Sequence, residues 1–160
     1  AQLGNTLEAI AWEKAGILKR QTPAVSGVTS PGPRDVIRKV AAEVGAPLWE
    51  LGRDFGYEYG AGLRTRGVAP GSVVSGLQPS EPGPERPAVT ISTPRGTGVY
   101  RLGLLGGHQA HNAAVAVATL DRLRDAGLTI PDRAGRGGLA GVRWPARVEL
   151  VGQRPWAVLD

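Results

Sequence analysis

Lys14 is the residue whose chemistry and position first suggest a catalytic role. The chain has three lysines and sixteen arginines, and a lysine can lose its proton whereas an arginine stays charged. Lys14 lies at helical spacing from the apolar residues Leu7, Ile10 and Ala11, which predicts a position on the apolar face of a helix. Partial burial there would favour a neutral amine. The alternative is a lysine that extends from the helix edge into water or pairs with Glu13.

A second group of polar residues lies further along the chain. His108 and His111 are three residues apart, and Asn112 follows His108 by one helical turn. Two histidines without a third ligand at a fixed spacing do not predict a zinc site. Asn112 taken alone fits a solvated helix face equally well.

Several common catalytic motifs are absent from the sequence. None of the three lysines is followed by Ser or Thr, so no G-x-x-x-x-G-K-[ST] phosphate loop is present. There is no G-x-S-x-G nucleophile elbow and no G-x-G-x-x-G fingerprint after a predicted strand. The chain lacks cysteine, which excludes disulfides, thiolate metal sites and cysteine nucleophiles.

Composition indicates one globular unit. The 160 residues are about the length of a single domain, with 41% hydrophobic and 21% charged residues. The net charge of +5 is scattered, and with one Phe and three Tyr no aromatic and basic residues interleave, so we expect no nucleic-acid partner. No apolar run is long enough to span a bilayer, so we expect no membrane partner, and cytoplasmic localisation is the default. Because methionine is absent and residues 156–160 end within a predicted strand, we expect a piece of a longer protein.

The periodicity of apolar residues predicts a β-α-β unit near the start of the chain. A helix is predicted over 5–16, with Asn5 and Glu8 forming a capping box and Gly16 in a left-handed conformation at its end. Strands at 23–28 and 46–51 flank a second helix at 34–44, which Gly45 should terminate. The two strands should therefore be parallel.

The remainder predicts a small antiparallel sheet and further helices. Residues 52–98 contain 10 Gly and 6 Pro, and alternating apolar residues there and up to 104 predict an antiparallel sheet inserted at 52–104. A third helix is predicted at 108–125, a weaker fourth after Pro131, and strands at 147–151 and 156–160. The expected fold class is thus α/β, mostly parallel sheet flanked by helices with a small antiparallel insertion.

Three strings in this order resemble the folylpolyglutamate and dihydrofolate synthases of the Mur ligase superfamily. LGNTLEAIAWEKAGI at 3–17 is similar to their LGxTxxxIAxEKAGI segment, and LGGHQAHNAA at 105–114 is similar to LLGxHQxxNAA. RWPARVE at 143–149 is similar to WPGRxE, with Ala146 in place of the glycine, and Asp160 matches the first residue of DGAHN. The resemblance implies a Mur-ligase-type central ATP-binding domain over 1–160. Its N-terminal phosphate-loop part and the C-terminal domain of the family would be missing. The strand at 156–160 would lead to that C-terminal domain.

The resemblance also implies an activity. Such enzymes phosphorylate a folate or dihydropteroate carboxylate with ATP, and the amine of L-glutamate then attacks the acyl phosphate. ATP and Mg²⁺ are the implied cofactors, a monovalent cation such as K⁺ is a further one that the family allows, and a monomeric parent enzyme is implied.

The resemblance assigns roles to individual residues. Lys14 would be carbamylated and would ligate magnesium through the carbamate, and Asn112 would present its amide to adenine. His108 and Gln109 would hold the adjoining loop of the ATP site. Arg147 would contact ATP phosphates, and Asp160 would accept hydrogen bonds from the ribose.

Two alternative functions follow from the same strings. One is a UDP-muramoyl-peptide ligase of cell-wall synthesis, from the same superfamily. The other is a noncatalytic remnant that serves as a binding module.

Overall fold

The computed structural model describes residues 6–59, 87–104 and 106–144, and the backbone of the strands at 149–153 and 156–159. Its helices are α1 (Leu7–Ala15), α2 (Pro31–Val44), α3 (Gly107–Asp125) and α4 (Asp132–Gly141). Its strands are β1 (Ala24–Ser26), β2 (Leu48–Glu50), β3 (Gly56–Tyr59), β4 (Ala88–Thr93), β5 (Gly96–Arg101), β6 (Glu149–Gln153) and β7 (Trp156–Leu159).

The β-α-β unit is present. β1 and β2 pair in parallel, with Ala24 opposite Leu48 and Ser26 opposite Glu50. α2 connects them and ends at Gly45, whose φ of 67° is the left-handed conformation that glycine adopts without strain. The observed strands are shorter than the predicted ones, because only three residues of each strand pair.

The start of α1 differs from its prediction. Thr6 is the N-cap, and its hydroxyl oxygen accepts a hydrogen bond from the Ala9 amide at 3.1 Å. The predicted cap, Asn5, lies outside the described residues. Gly16 ends the helix with φ −59° in the right-handed region, so the prediction of a left-handed residue there was wrong. α1 packs against α2.

The antiparallel sheet lies where the alternating residues predicted it. β3, β4 and β5 pair in chain order, with Tyr57 opposite Ile91 and Val89 opposite Tyr100. Residues 60–86 of the predicted insertion lie outside the described residues. β6 and β7 form a separate antiparallel pair.

The core forms where α3 covers the antiparallel sheet. One face of α3 consists of buried small residues, and beneath it lie buried larger side chains of the sheet and of the segments beside it. The helix residues are Ala110, Ala113, Ala114, Val117 and Ala118, and those beneath are Leu51, Phe55, Val89, Ile91 and Leu102. Because alanine lets a helix backbone approach closely, α3 contacts β1, β3 and β4 together. α3 therefore connects the parallel pair with the antiparallel sheet.

A buried carboxylate at the end of β2 ties that strand to α2. Glu50 is fully buried, and its oxygens accept hydrogen bonds from Arg34 Nε at 3.0 Å and from Arg38 Nε at 2.9 Å. Arg53 forms a third ion pair with it. A buried charge is tolerated only when it is paired in this way.

This arginine cluster also shifts the protonation of Glu50. Burial opposes ionisation, but the hydrogen bonds from Arg38 and Arg34 and the charge of Arg53 outweigh it and hold the pKa of Glu50 below its usual range. Because the pKa is lower in the folded than in the unfolded chain, the stabilisation is complete above the ordinary carboxyl pKa and is lost as pH falls through the folded-state value.

We therefore expect Glu50→Gln to lower the free energy of unfolding by about 3 kcal/mol at neutral pH, since three guanidinium groups would lose their carboxylate. Urea denaturation of the chain, followed at neutral pH and at decreasing pH, measures this. The loss should shrink as the wild-type carboxyl becomes protonated.

Asp35→Asn is the matched control, because Asp35 is an exposed carboxylate 3.4 Å from the same Arg38. It should change stability by no more than about 0.5 kcal/mol. Equal effects of the two substitutions would contradict the role given to the Glu50 cluster.

Candidate functional site

The N-terminal part of α3 lies beside the carboxyl end of β1. A Cβ on Gly27, which follows β1, would lie 2.6 Å from His111 Nε2 and 2.7 Å from Val115 Cγ2. Glycine at this position therefore allows α3 to approach the strand end. The His111 ring also meets the edge of Tyr57, with ring centroids 6.1 Å apart. His111 is thus a packing residue between β1, β3 and α3.

The first turn of α3 borders a cleft of about 410 Å³. The cleft is lined by residues from the segment after β5, from α3 and from α4 and the residues after it. They are Leu102, Gly103, Leu104, Gln109, Asn112, Ala113, Ala116, Leu139, Val142 and Trp144. Most of these side chains are apolar, and two carboxamides supply the polar groups, a composition typical of small-molecule sites.

The wall formed by α4 is attached to the segment after β5 through backbone contacts. The Gly103 amide donates a hydrogen bond to the Leu139 carbonyl at 2.8 Å. A Cβ on Gly103 would lie 2.9 Å from the Ala140 carbonyl oxygen. The absence of a side chain at Gly103 therefore sets how closely the two sides of the cleft approach.

The opposite end of α3 is held by a second buried carboxylate. Asp121 accepts hydrogen bonds from the Thr93 hydroxyl at 2.6 Å and from Arg124 Nη1 at 2.7 Å. Thr93 ends β4, and Arg124 also forms an ion pair with Asp132 at the start of α4. These contacts connect α3, the β4–β5 hairpin and α4, which together position the cleft.

The structure brings together three of the six predicted site residues. His108, Gln109 and Asn112 lie on the first turns of α3, and Gln109 and Asn112 line the cleft. Gln109 Nε2 lies 2.9 Å from His108 Nε2, and Asn112 Nδ2 lies 3.5 Å from Gln109 Oε1. Arg147 and Asp160 lie outside the described residues.

Lys14 lies elsewhere, on α1, and its environment differs from the predicted one. Its side chain is exposed, and Leu7 of the supposed apolar face is 63% exposed. The buried residues of α1 are Ala11 and Ala15. The prediction of a partly buried Lys14 was therefore wrong for this chain, because α1 turns only its two alanines inward.

The described residues do not form a metal site of their own. Within residues 6–59, 87–104 and 106–144, no three His, Asp or Glu side chains gather to hold an ion. None of the helices α1 to α4 is long and apolar enough to cross a membrane.

The apolar residues of the cleft were not identified from the sequence. Leu139 and Val142 come from a segment whose only clear sequence signal was the start of a weak helix. Trp144 belongs to the RWPARVE string at 143–149, and this string is the sequence signal that could have placed it at the site.

The fold and the cleft define a mixed α/β domain with an amide-bearing apolar site at the start of a helix. A dihydrofolate synthase/folylpolyglutamate synthase of Bacillus subtilis is 35% identical over 159 residues, which are 99% of this chain and 33% of that protein. The folylpolyglutamate synthase of Lacticaseibacillus casei is 28% identical over 163 residues. No protein-family model matches the chain.

Solved structures give the same result. The apo form of the L. casei enzyme matches with a TM-score of 0.77 and 27% identity over 99% of this chain and 34% of that one. A complex of folylpolyglutamate synthase with AMPPCP and folate matches with the same TM-score and identity. The resemblance seen in the three strings is confirmed: the chain is homologous to folylpolyglutamate and dihydrofolate synthases, and it spans about a third of their length. These comparisons do not favour the cell-wall ligase or the noncatalytic module.

Proposed function

We propose that this chain is part of an ATP-dependent ligase that adds L-glutamate to a folate or to dihydropteroate through an acyl-phosphate intermediate, with release of ADP. The observation that carries the proposal is the cleft at the start of α3, where Gln109 and Asn112 meet apolar walls. The homologous folylpolyglutamate synthase has been solved with an ATP analogue and folate. The cleft thus gives a physical reason to extend ATP use to this chain.

In this proposal the cleft receives the adenine of ATP. Leu104, Leu139 and Val142 offer apolar surface to a base, and the Asn112 amide offers a donor and an acceptor to its edge. An adenine carries an amino donor beside a ring-nitrogen acceptor, which matches the two groups of an amide. Arg147 and Asp160 keep their proposed roles toward the phosphates and the ribose.

Lys14 keeps its proposed role as a carbamylated magnesium ligand. A carbamate turns an ammonium into a carboxylate, which is the oxygen donor that Mg²⁺ prefers. Lys14 is exposed among the described residues, so in this proposal the surroundings that would favour its neutral amine come from outside them. Because the described residues gather no metal site, Lys14 would contribute one ligand beside ATP phosphates and groups outside these residues.

The remaining features of the proposal follow from the family. Magnesium, with a monovalent cation such as K⁺, would accompany ATP, and the enzyme would be monomeric and cytoplasmic. Its partners would be small molecules only, with no nucleic acid or membrane.

The role of Lys14 is tested in the full-length enzyme that contains this chain. Lys14→Ala should abolish glutamate ligation while leaving the unfolding transition unchanged, because an exposed side chain contributes little to packing. Short carboxylic acids added to this variant should restore part of the rate. Lys39→Ala is the control, since Lys39 is an exposed lysine of α2 near Glu43, and it should retain full activity. Full activity of Lys14→Ala would remove the proposed role.

The adenine assignment predicts a different phenotype. Asn112→Ala should weaken ATP binding through the base by about 1–3 kcal/mol, because a polar group of adenine would be left unpaired. Steady-state kinetics with ATP and GTP measure the change, which should appear as a higher ATP KM and a reduced preference for ATP. Thr119→Ala, also on the exposed side of α3, should change neither value. An unchanged KM and preference for Asn112→Ala would contradict the assignment.

The 160-residue chain itself should bind ATP weakly and show no ligase activity. It contains no phosphate loop, and the backbone amides and lysine of such a loop provide much of the affinity for a nucleotide. Isothermal titration with ATP and magnesium should therefore give no measurable heat at micromolar protein. A micromolar dissociation constant would show that the phosphate site lies within these residues.

A further inference from the structure

Three polar side chains at the start of α3 form a hydrogen-bonded series that ends in the cleft. Gln109 Nε2 lies 2.9 Å from His108 Nε2, and Asn112 Nδ2 donates to Gln109 Oε1 in a longer contact of 3.5 Å. Gln109 is half-buried, whereas His108 and Asn112 are exposed. The series therefore extends from an exposed imidazole to the amide that borders the cleft.

The chemistry of the first contact determines the direction of the others. An amide nitrogen can only donate, so the His108 Nε2 that faces the Gln109 amide nitrogen is the acceptor of this contact. The oxygen of Gln109 then faces Asn112, which must turn its nitrogen toward that oxygen. An acceptor at residue 108 thus sets the orientation of both amides.

The orientation of the Asn112 amide matters because the hydrogen-bond donor and acceptor on the edge of a base stand in a fixed order. With one N–H of Asn112 engaged by Gln109, Oδ1 and the other N–H remain as an acceptor and a donor in a fixed sequence along the edge. Adenine offers an amino donor beside a ring-nitrogen acceptor, whereas hypoxanthine offers a carbonyl acceptor beside a ring N–H donor. Reversing the Asn112 amide reverses which of these bases it matches.

We propose that His108 and Gln109 are positioning residues that act through Asn112 and make the cleft specific for a 6-amino purine over a 6-oxo purine. This inference depends on the proposed adenine role of Asn112. Neither residue needs to contact the base. The acceptor on His108 orients the Gln109 amide, and the Gln109 amide in turn orients that of Asn112.

The test uses adenosine and inosine as probes of the 160-residue chain, with saturation-transfer NMR to measure millimolar dissociation constants. The wild-type chain should prefer adenosine about tenfold, roughly the effect of one correctly paired hydrogen bond. His108→Glu, which supplies an acceptor, should keep that preference. His108→Lys, which supplies only donors, should turn Gln109 and Asn112 around and reverse the preference toward inosine.

A second variant separates this mechanism from a purely structural effect. Gln109→Glu carries two acceptor oxygens, so it holds Asn112 in the adenosine orientation whatever stands at residue 108. In the Gln109→Glu background, His108→Lys should therefore no longer reverse the preference. If His108→Lys changed the preference only by loosening α3, adding Gln109→Glu would not restore the preference for adenosine.

The outcomes distinguish the two proposals. An unchanged preference for adenosine in His108→Lys would overturn the positioning role and leave the adenine site standing. Binding of both nucleosides with equal affinity by the wild-type chain, or binding of neither, would overturn the adenine site and the positioning role together.

Discussion

The close approach of α3 to the strands is the constraint on which the rest of the structure depends. A face of Ala110, Ala113, Ala114 and Ala118 lets the helix backbone lie near the sheet, and Gly27 lets it lie near the end of β1. A larger side chain on this face would move the helix away, because protein interiors have little free volume. The first turn of the same helix carries the polar residues of the cleft, so its position relative to the strands is also the position of the site.

Two buried carboxylates hold the elements around this helix. Glu50 fixes the end of β2 to α2, and Asp121 fixes α3 to the β4–β5 hairpin. Both are paired with arginines, whose planar guanidinium groups can serve several carboxylate oxygens and carbonyls at once. The preference of the chain for arginine over lysine therefore has a structural explanation at these positions.

Periodicity predicted much of the fold, because it depends on local patterns that burial enforces. The β-α-β unit, the antiparallel sheet and α3 appear where alternating or helical apolar spacing indicated them. The same reasoning was wrong for Lys14, since the helical spacing of Leu7 and Ile10 does not reveal which face of α1 finds a partner. In the structure α1 buries only Ala11 and Ala15.

The candidate site was predictable only in part, for a related reason. His108, Gln109 and Asn112 are close in sequence and share one helix, so a motif could place them together. Leu139 and Val142 reach the cleft through the packing of α4 against β5 and α3, which is a tertiary contact. The confirmed homology shows which enzymes the chain resembles, while the polarity of the Asn112 amide follows only from the hydrogen-bond geometry.

The glycine content of α4 affects the dynamics of the cleft. Four of its ten residues are Gly135, Gly137, Gly138 and Gly141, and each glycine costs a helix roughly 0.5–1 kcal/mol relative to alanine. Gly135 faces Leu120 of α3, and contacts of this kind, rather than intrinsic helicity, keep the helix formed. Its amide protons should therefore exchange with solvent sooner than those of α3, which makes the side of the cleft formed by α4 the less rigid of the two.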